Sequence, residues 1–129
     1  MNKMQEQVLE FHKEFGVLAP DKPSIPYFNT LYLRIRLMRE ELKELEDAML
    51  AADMVEIADG LADLLVVTFG TAVSYGINIE PIFDEVHRSN MTKRWADGQV
   101  HYDDYGKVIK PPTYSPANLK PILEEQGVF

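Results

Sequence analysis

Glu40-Glu41-Leu42-Lys43-Glu44-Leu45-Glu46-Asp47, followed after a spacer by Glu56-Ile57-Ala58-Asp59-Gly60-Leu61-Ala62-Asp63, sets two acidic clusters inside two apolar repeats. In the first repeat Phe28, Leu31, Ile35, Met38, Leu42, Leu45 and Met49 recur at alternating steps of three and four, the spacing of one helix face. Val55, Ala58, Ala62, Leu65, Phe69 and Ala72 repeat that pattern in the second. Glu41 and Glu44 each stand one position before a stripe residue, and Glu56, Asp59 and Asp63 each stand one position after one. The acids are therefore expected to border the contact between two packed helices.

Working outward, Met4, Val8, Phe11 and Phe15 share helical spacing, and Gly16 behind them suits a C-cap. Pro20, Pro23 and Pro26 hold Ala19–Pro26 as an extended connector, since each ring fixes its own φ and disfavours helix in the residue before it. A second helix is expected from after Pro26 to about Ala51. Asp53 is a candidate N-cap for a third, with Glu56 placed as in a capping box, and that helix should end near Gly76. Pro81 suits the first turn of a fourth, reaching about Trp95. Beyond it Asp97-Gly98 reads as a turn, Val100–Tyr102 and Lys107–Ile109 as a short hairpin about Asp103–Gly106, and Pro116–Glu125 as a last short helix. The expected architecture is all-α: one domain over residues 1–129, with a four-helix core over about 1–95 and an irregular C-terminal arm over about 96–129.

The chain has 129 residues, a formal charge of −8 and no cysteine. Nucleic-acid polymers are held by broad basic surfaces, so they are not expected partners, while a small anion reached through a metal is compatible. Without thiols there are neither disulfides nor thiolate ligands, which suits a reducing compartment. The cytoplasm, or a host cytoplasm for a phage-encoded chain, is the expected location. No uninterrupted apolar run approaches the roughly eighteen residues of a membrane span. Residues 1–6 also lack the basic flank and apolar middle of an export signal, so neither a membrane partner nor export processing is expected.

A run such as Glu40–Asp47 is by itself commonly a solvated helix face. Asp59 and Asp63 change the weighing, because they interrupt a segment apolar nearly all round from Ala58 to Val73. Buried carboxylates stay ionised only when paired or hydrogen-bonded. Residues three or four apart on a helix have Cβ atoms about 5–6 Å apart, so Glu41 with Glu44, and Glu56 with Asp59, can each converge on one ion. Two such pairs on adjacent helices make a four-carboxylate cage. All-oxygen ligation suits a hard cation, and Mg²⁺, with Mn²⁺ as its substitute, shares its coordination with substrate phosphates. A ferritin-like di-iron centre would need a Glu-x-x-His pair on each of two helices, and only Asp84 with His87 comes near that pattern.

Glu41-Leu-Lys-Glu44 followed by Glu56-Ile-Ala-Asp59 resembles the E-x-x-E, E-x-x-D signature of the all-α, MazG-like nucleoside triphosphate pyrophosphatases. Ala58-Asp59-Gly-Leu-Ala-Asp63-Leu-Leu, Glu85-Val-His-Arg-Ser-Asn-Met-Thr-Lys93 and Lys110-Pro-Pro-Thr-Tyr114 extend the likeness from about Phe11 to Leu123. They are similar to the branch near phosphoribosyl-ATP pyrophosphohydrolases and bacterial dUTP-hydrolysing proteins. The resemblance implies a four-helix bundle and Mg²⁺-dependent cleavage of a nucleoside triphosphate to the monophosphate and pyrophosphate. Glu41, Glu44, Glu56 and Asp59 would be the metal ligands, with Glu40 and Glu41 the catalytic acids and Glu40 holding further metal or orienting the attacking water. Such chemistry asks the protein for placement and charge neutralisation, which metal ions supply.

A triphosphate also calls for cations. Arg88, Lys93 and Arg94 near the end of the fourth helix are candidates, with Asn90 beside them and Lys110 and Tyr114 in the arm; the helix dipole favours cations there in any case. Arg34 and Arg36 are weaker candidates that can simply pair with nearby acids. Asn29, Tyr32 and Trp95, with Tyr27 and Phe28, can offer a base stacking and hydrogen bonds. The third helix is apolar over more than one face, which a small monomer cannot hide, so a homodimer or homotetramer is expected. Two other readings stay open: phosphoribosyl-ATP hydrolysis, and a non-catalytic, metal-stabilised helical binding module. Among triphosphates, dUTP and dGTP are candidates.

Overall fold

A computed structural model describes residues 1–128. Its helices are α1 (Lys3–Phe15), α2 (Phe28–Leu50), α3 (Met54–Ser74), α4 (Ile79–Met91) and α5 (Lys120–Glu125). Local chemistry sets most of these ends. Asn2 Oδ1 accepts from the Gln5 N–H at 2.8 Å, and Gly16 closes α1 with φ 70°. Asp53 Oδ1 accepts from the Glu56 N–H at 3.2 Å, so one of the free donors at the start of α3 is satisfied. α4 starts ahead of Pro81 because Asn78 caps it through the Glu80 N–H. It stops at Met91, short of Trp95, where Thr92 Oγ1 turns back to the Ser89 carbonyl at 2.7 Å. The expected hairpin in the arm is a single antiparallel bridge, Tyr102 to Val108, and the last helix is shorter than Pro116–Glu125.

α2 and α3 pack against each other in antiparallel register about the turn at Ala52, and α1 lies on α3. The seam between α2 and α3 follows the expected stripes in part. Its buried α2 positions are Arg34, Leu45 and Ala48, and the buried α3 positions are Gly60, Gly70, Ala72, Val73 and Ser74, so Leu45 and Ala72 are the stripe residues it buries. Both glycines are needed for the approach. A Cβ on Gly60 would stand 3.2 Å from Leu45 Cα, and one on Gly70 would run into the Arg34 guanidinium. The seam thus joins Leu45 and Ala72 of the stripes to small and polar residues, and other stripe residues lie to one side of it. Phe28 is 76% exposed, Leu42 56%, Met49 61% and Val55 76%, so these parts of the stripes do not close this chain's own core.

α3 adds to the membrane reading made from uninterrupted runs. Averaged over an eighteen-residue window, its mean hydropathy is 1.5, so by length and composition it is apolar enough to cross a membrane. Averaging tolerates the acids, threonines and glycines that interrupt a run. Its contacts with both α1 and α2 give the same apolarity a use as the central helix of the fold.

Candidate functional site

The antiparallel register decides which acids meet. Glu41 on α2 and Asp63 on α3 lie at equal distances along the chain on either side of Ala52, and Glu44 is one turn from Glu41. Carboxylate oxygens of Glu41, Glu44 and Asp63 all lie within 4.8 Å of one another. Among the described residues, Glu41 Oε2 is the one buried side-chain oxygen or nitrogen without a hydrogen-bond partner. Burial, then the charges of Glu44 and Asp63, push the Glu41 carboxyl above its ordinary value. Burial, then neighbouring Asp59, does the same to Asp63. An orphaned acid oxygen among hard donors fits a hard divalent cation, which would relieve both the repulsion and the unmet bond.

Of the four expected ligands, Glu41 and Glu44 converge and Asp63 joins them. Asp59 lies beside Asp63, whereas Glu56, exposed at the first turn of α3, is not part of the converging trio. Glu40 pairs with Arg36 at 3.6 Å on the exposed side of α2. Asp63 carried a signal in its interruption of an apolar segment, but its approach to Glu41 and Glu44 depends on the helix register. Arg34 does not pair with an acid: it is buried, donating to the Val67 carbonyl at 2.9 Å and to Thr71 Oγ1 at 3.3 Å.

The cations at the end of α4 divide into two kinds. Arg88 forks onto Glu85 at 2.7–3.0 Å and also donates to Ser115 Oγ and the Pro116 carbonyl, each at 3.2 Å. The Arg88 fork, and then the Asn118 N–H at 3.2 Å, hold the Glu85 carboxyl down to about 2. Buried Ser89, which sequence reasoning passed over, donates to the Ser115 carbonyl at 2.7 Å and pairs with Tyr114 Oη at 3.0 Å. Thr92 Oγ1 accepts from the Ser115 N–H at 2.8 Å. This stretch of α4 therefore clasps the arm. Arg94 donates to the Gly98 carbonyl at 2.8 Å, and the Lys110 ammonium sits 4.8 Å above the Tyr114 ring. Lys93 is half-buried and Asn90 exposed near the same helix end. Trp95 donates to the Ile109 carbonyl at 3.1 Å and stacks against His101, while Asn29 and Tyr32 line an open depression of about 620 Å³ along α2 with Arg36 and Arg39.

A paired-helix carboxylate site on an all-α scaffold is the class of site these elements define. The phosphoribosyl-ATP pyrophosphohydrolase family model matches residues 8–90, and the chain belongs to that family. It is 34% identical over 79 residues to an uncharacterized protein of Acanthamoeba polyphaga mimivirus; the match covers 58% of this chain and 32% of that protein. The chain thus spans about a third of the viral protein's length. Its fold is similar to the crystal structure of a proposed NTP pyrophosphohydrolase from Exiguobacterium sp. 255-15, with TM-score 0.51 and 23% identity over 98% of this chain and 95% of that one.

Proposed function

We propose that the chain is a divalent-metal-dependent pyrophosphohydrolase that cleaves a (d)NTP to the monophosphate and pyrophosphate, acting in nucleotide-pool sanitation or adjustment. The observation that carries this reading is the convergence of Glu41, Glu44 and Asp63 with Glu41 Oε2 left without a partner. Mg²⁺, or Mn²⁺ in its place, bound there would supply a Lewis acid for phosphate oxygens and an acidified water. Glu41, Glu44 and Asp63 would hold it, with Asp59 and Glu56 reaching it directly or through waters. Glu40, one position from Glu41, would accept a proton from the attacking water on release from Arg36. Lys93, Arg94, Asn90, Lys110 and Tyr114 are the candidates for triphosphate contacts, Arg88 acting through the arm; Asn29, Tyr32 and Trp95 are the candidates for the base.

The exposed stripe residues support a homodimer or homotetramer, since Phe28, Leu42, Met49 and Val55 would otherwise face water. Light scattering at micromolar concentration tests this, and a monomer would reject it. The activity test is phosphate-product analysis over a nucleotide panel including dUTP and dGTP, with Mg²⁺ or Mn²⁺. Turnover to monophosphate and pyrophosphate is expected; metal uptake without turnover of any nucleotide would leave a binding module instead. The family match favours one second reading, phosphoribosyl-ATP as substrate, which genetic complementation of that step separates.

A further inference from the structure

Away from the acids, His12 of α1 and Arg34 of α2 are both buried against Gly70 of α3, 3% and 5% exposed. His12 Nδ1 lies 3.1 Å from the Leu18 carbonyl. A carbonyl only accepts, so Nδ1 carries the ring proton and Nε2 of the neutral ring is bare. That bare nitrogen points into the space over Gly70: a Cβ there would be 3.1 Å from it and would overlap Arg34 Nη2. A second ring proton would therefore be added beside a guanidinium.

Among the groups around that charge, the Leu18 carbonyl favours it, while burial and Arg34 oppose it. From α2 the facing group is Arg34; from α3 they are Gly70, Thr71 and Ser74; from the connector it is the Leu18 carbonyl, which Ser74 Oγ also reaches at 3.2 Å. Arg34 is the one charged group in this set. Its hydrogen bonds go to the Val67 carbonyl and Thr71 Oγ1, and among the described residues neither it nor His12 has an ion-pair partner. The far end of α1 is tied separately, Gln5 bonding to the Ile77 carbonyl and the Ile79 N–H.

We propose that His12 and Arg34 form an acid-released latch: neutral His12 docks the C-terminal half of α1 on the α2–α3 pair, and its protonation frees that half while Gln5 keeps the other end tethered. Burial first, and then Arg34, hold His12 below the usual histidine range, the Leu18 carbonyl opposing them. The sign follows. A group whose folded value is depressed contributes stability that is present above its unfolded value, about 6.5, and is lost as pH falls below it. Local opening that binds one extra proton becomes more frequent by up to about tenfold per pH unit in that range.

The test uses the full chain in EDTA from pH 8 to 5, following ring-proton NMR titration and amide exchange corrected for intrinsic rate. His12 should titrate below the ordinary histidine value, about 6.5, and corrected exchange across residues 8–17 should quicken on acidification while the amides around Gln5 change less. In His12→Gln that acceleration should vanish; should this variant not fold, the wild-type titration and exchange decide alone. His12 titrating at or above the ordinary histidine value, or α1 exchange that does not change with pH, would overturn the latch.

Discussion

Gly60 packs so closely on Leu45 that a Cβ on the glycine would stand 3.2 Å from the leucine Cα and equally near its Cδ1. Leu45 is one turn beyond Glu41 and Gly60 one turn before Asp63, so this contact sets the gap across which the acids meet. Gly60→Ala gains about 1 kcal/mol of helix propensity and loses roughly 1–3 kcal/mol to overpacking against backbone. A small net loss of thermal stability is expected, together with weaker Mg²⁺ binding by calorimetry. Unchanged Mg²⁺ affinity would show that helix spacing does not govern the site.

Glu41→Gln separates stability from chemistry. The amide removes a charge that Glu44 and Asp63 repel, so the metal-free protein should melt no lower than wild type. Mg²⁺ uptake and turnover should both fall, by no less than the ~10–100-fold that loss of an outer partner of a metal site costs. Asp63→Asn should behave alike and Glu56→Gln should cost far less. If Glu56→Gln is instead as damaging as Glu41→Gln, the ligands are the four acids expected from sequence spacing.

The raised values of Glu41 and Asp63 fix the sign of a pH effect. A carboxyl whose folded value is raised contributes stability that is present below its ordinary value, about 4, and lost as pH rises through the raised one. Mg²⁺ binds the ionised form. The gain in melting temperature from added Mg²⁺, taken against EDTA at each pH, should therefore grow from about pH 4 to neutrality. Taking the difference at each pH largely removes the opposite-signed contribution of His12. A gain that is flat across this range would place Mg²⁺ elsewhere.

The helices were legible because their signals are local: Gly16, Asp53 and the three connector prolines act within a turn of where they stand. The faces were less so. The Phe28-to-Met49 stripe has the period of a buried face, yet of its residues only Leu45 is buried, beside Arg34 and Ala48 from outside it, because glycines at 60 and 70 let α2 approach along a strip that the stripe only partly overlaps. Periodicity identifies an apolar face without saying what covers it. For the same reason spacing found the pair Glu41 and Glu44, which share a helix, but not Asp63, whose place depends on register across the turn. Arg88 illustrates a third limit: a cation at a helix end reads as a phosphate ligand, while its fork onto Glu85 and its bonds to the arm are visible only in space.

That arrangement makes Arg88 a discriminating position. Its planar fork satisfies Glu85, Ser115 and Pro116 together, which a lysine ammonium cannot reproduce. If the clasp is its role, Arg88→Lys and Arg88→Ala should behave alike, with faster limited proteolysis between residues 96 and 119 and a higher KM, while Mg²⁺ uptake is unaffected. Because Glu85 is held down to about 2, its share of the clasp is present above the ordinary carboxylate value and lost only as pH falls toward 2. The arm should thus stay protected at pH 5, where an unpaired glutamate would begin to protonate. If Arg88→Lys restores nucleotide affinity and the arm resists proteolysis in both variants, Arg88 instead meets phosphate directly through its charge.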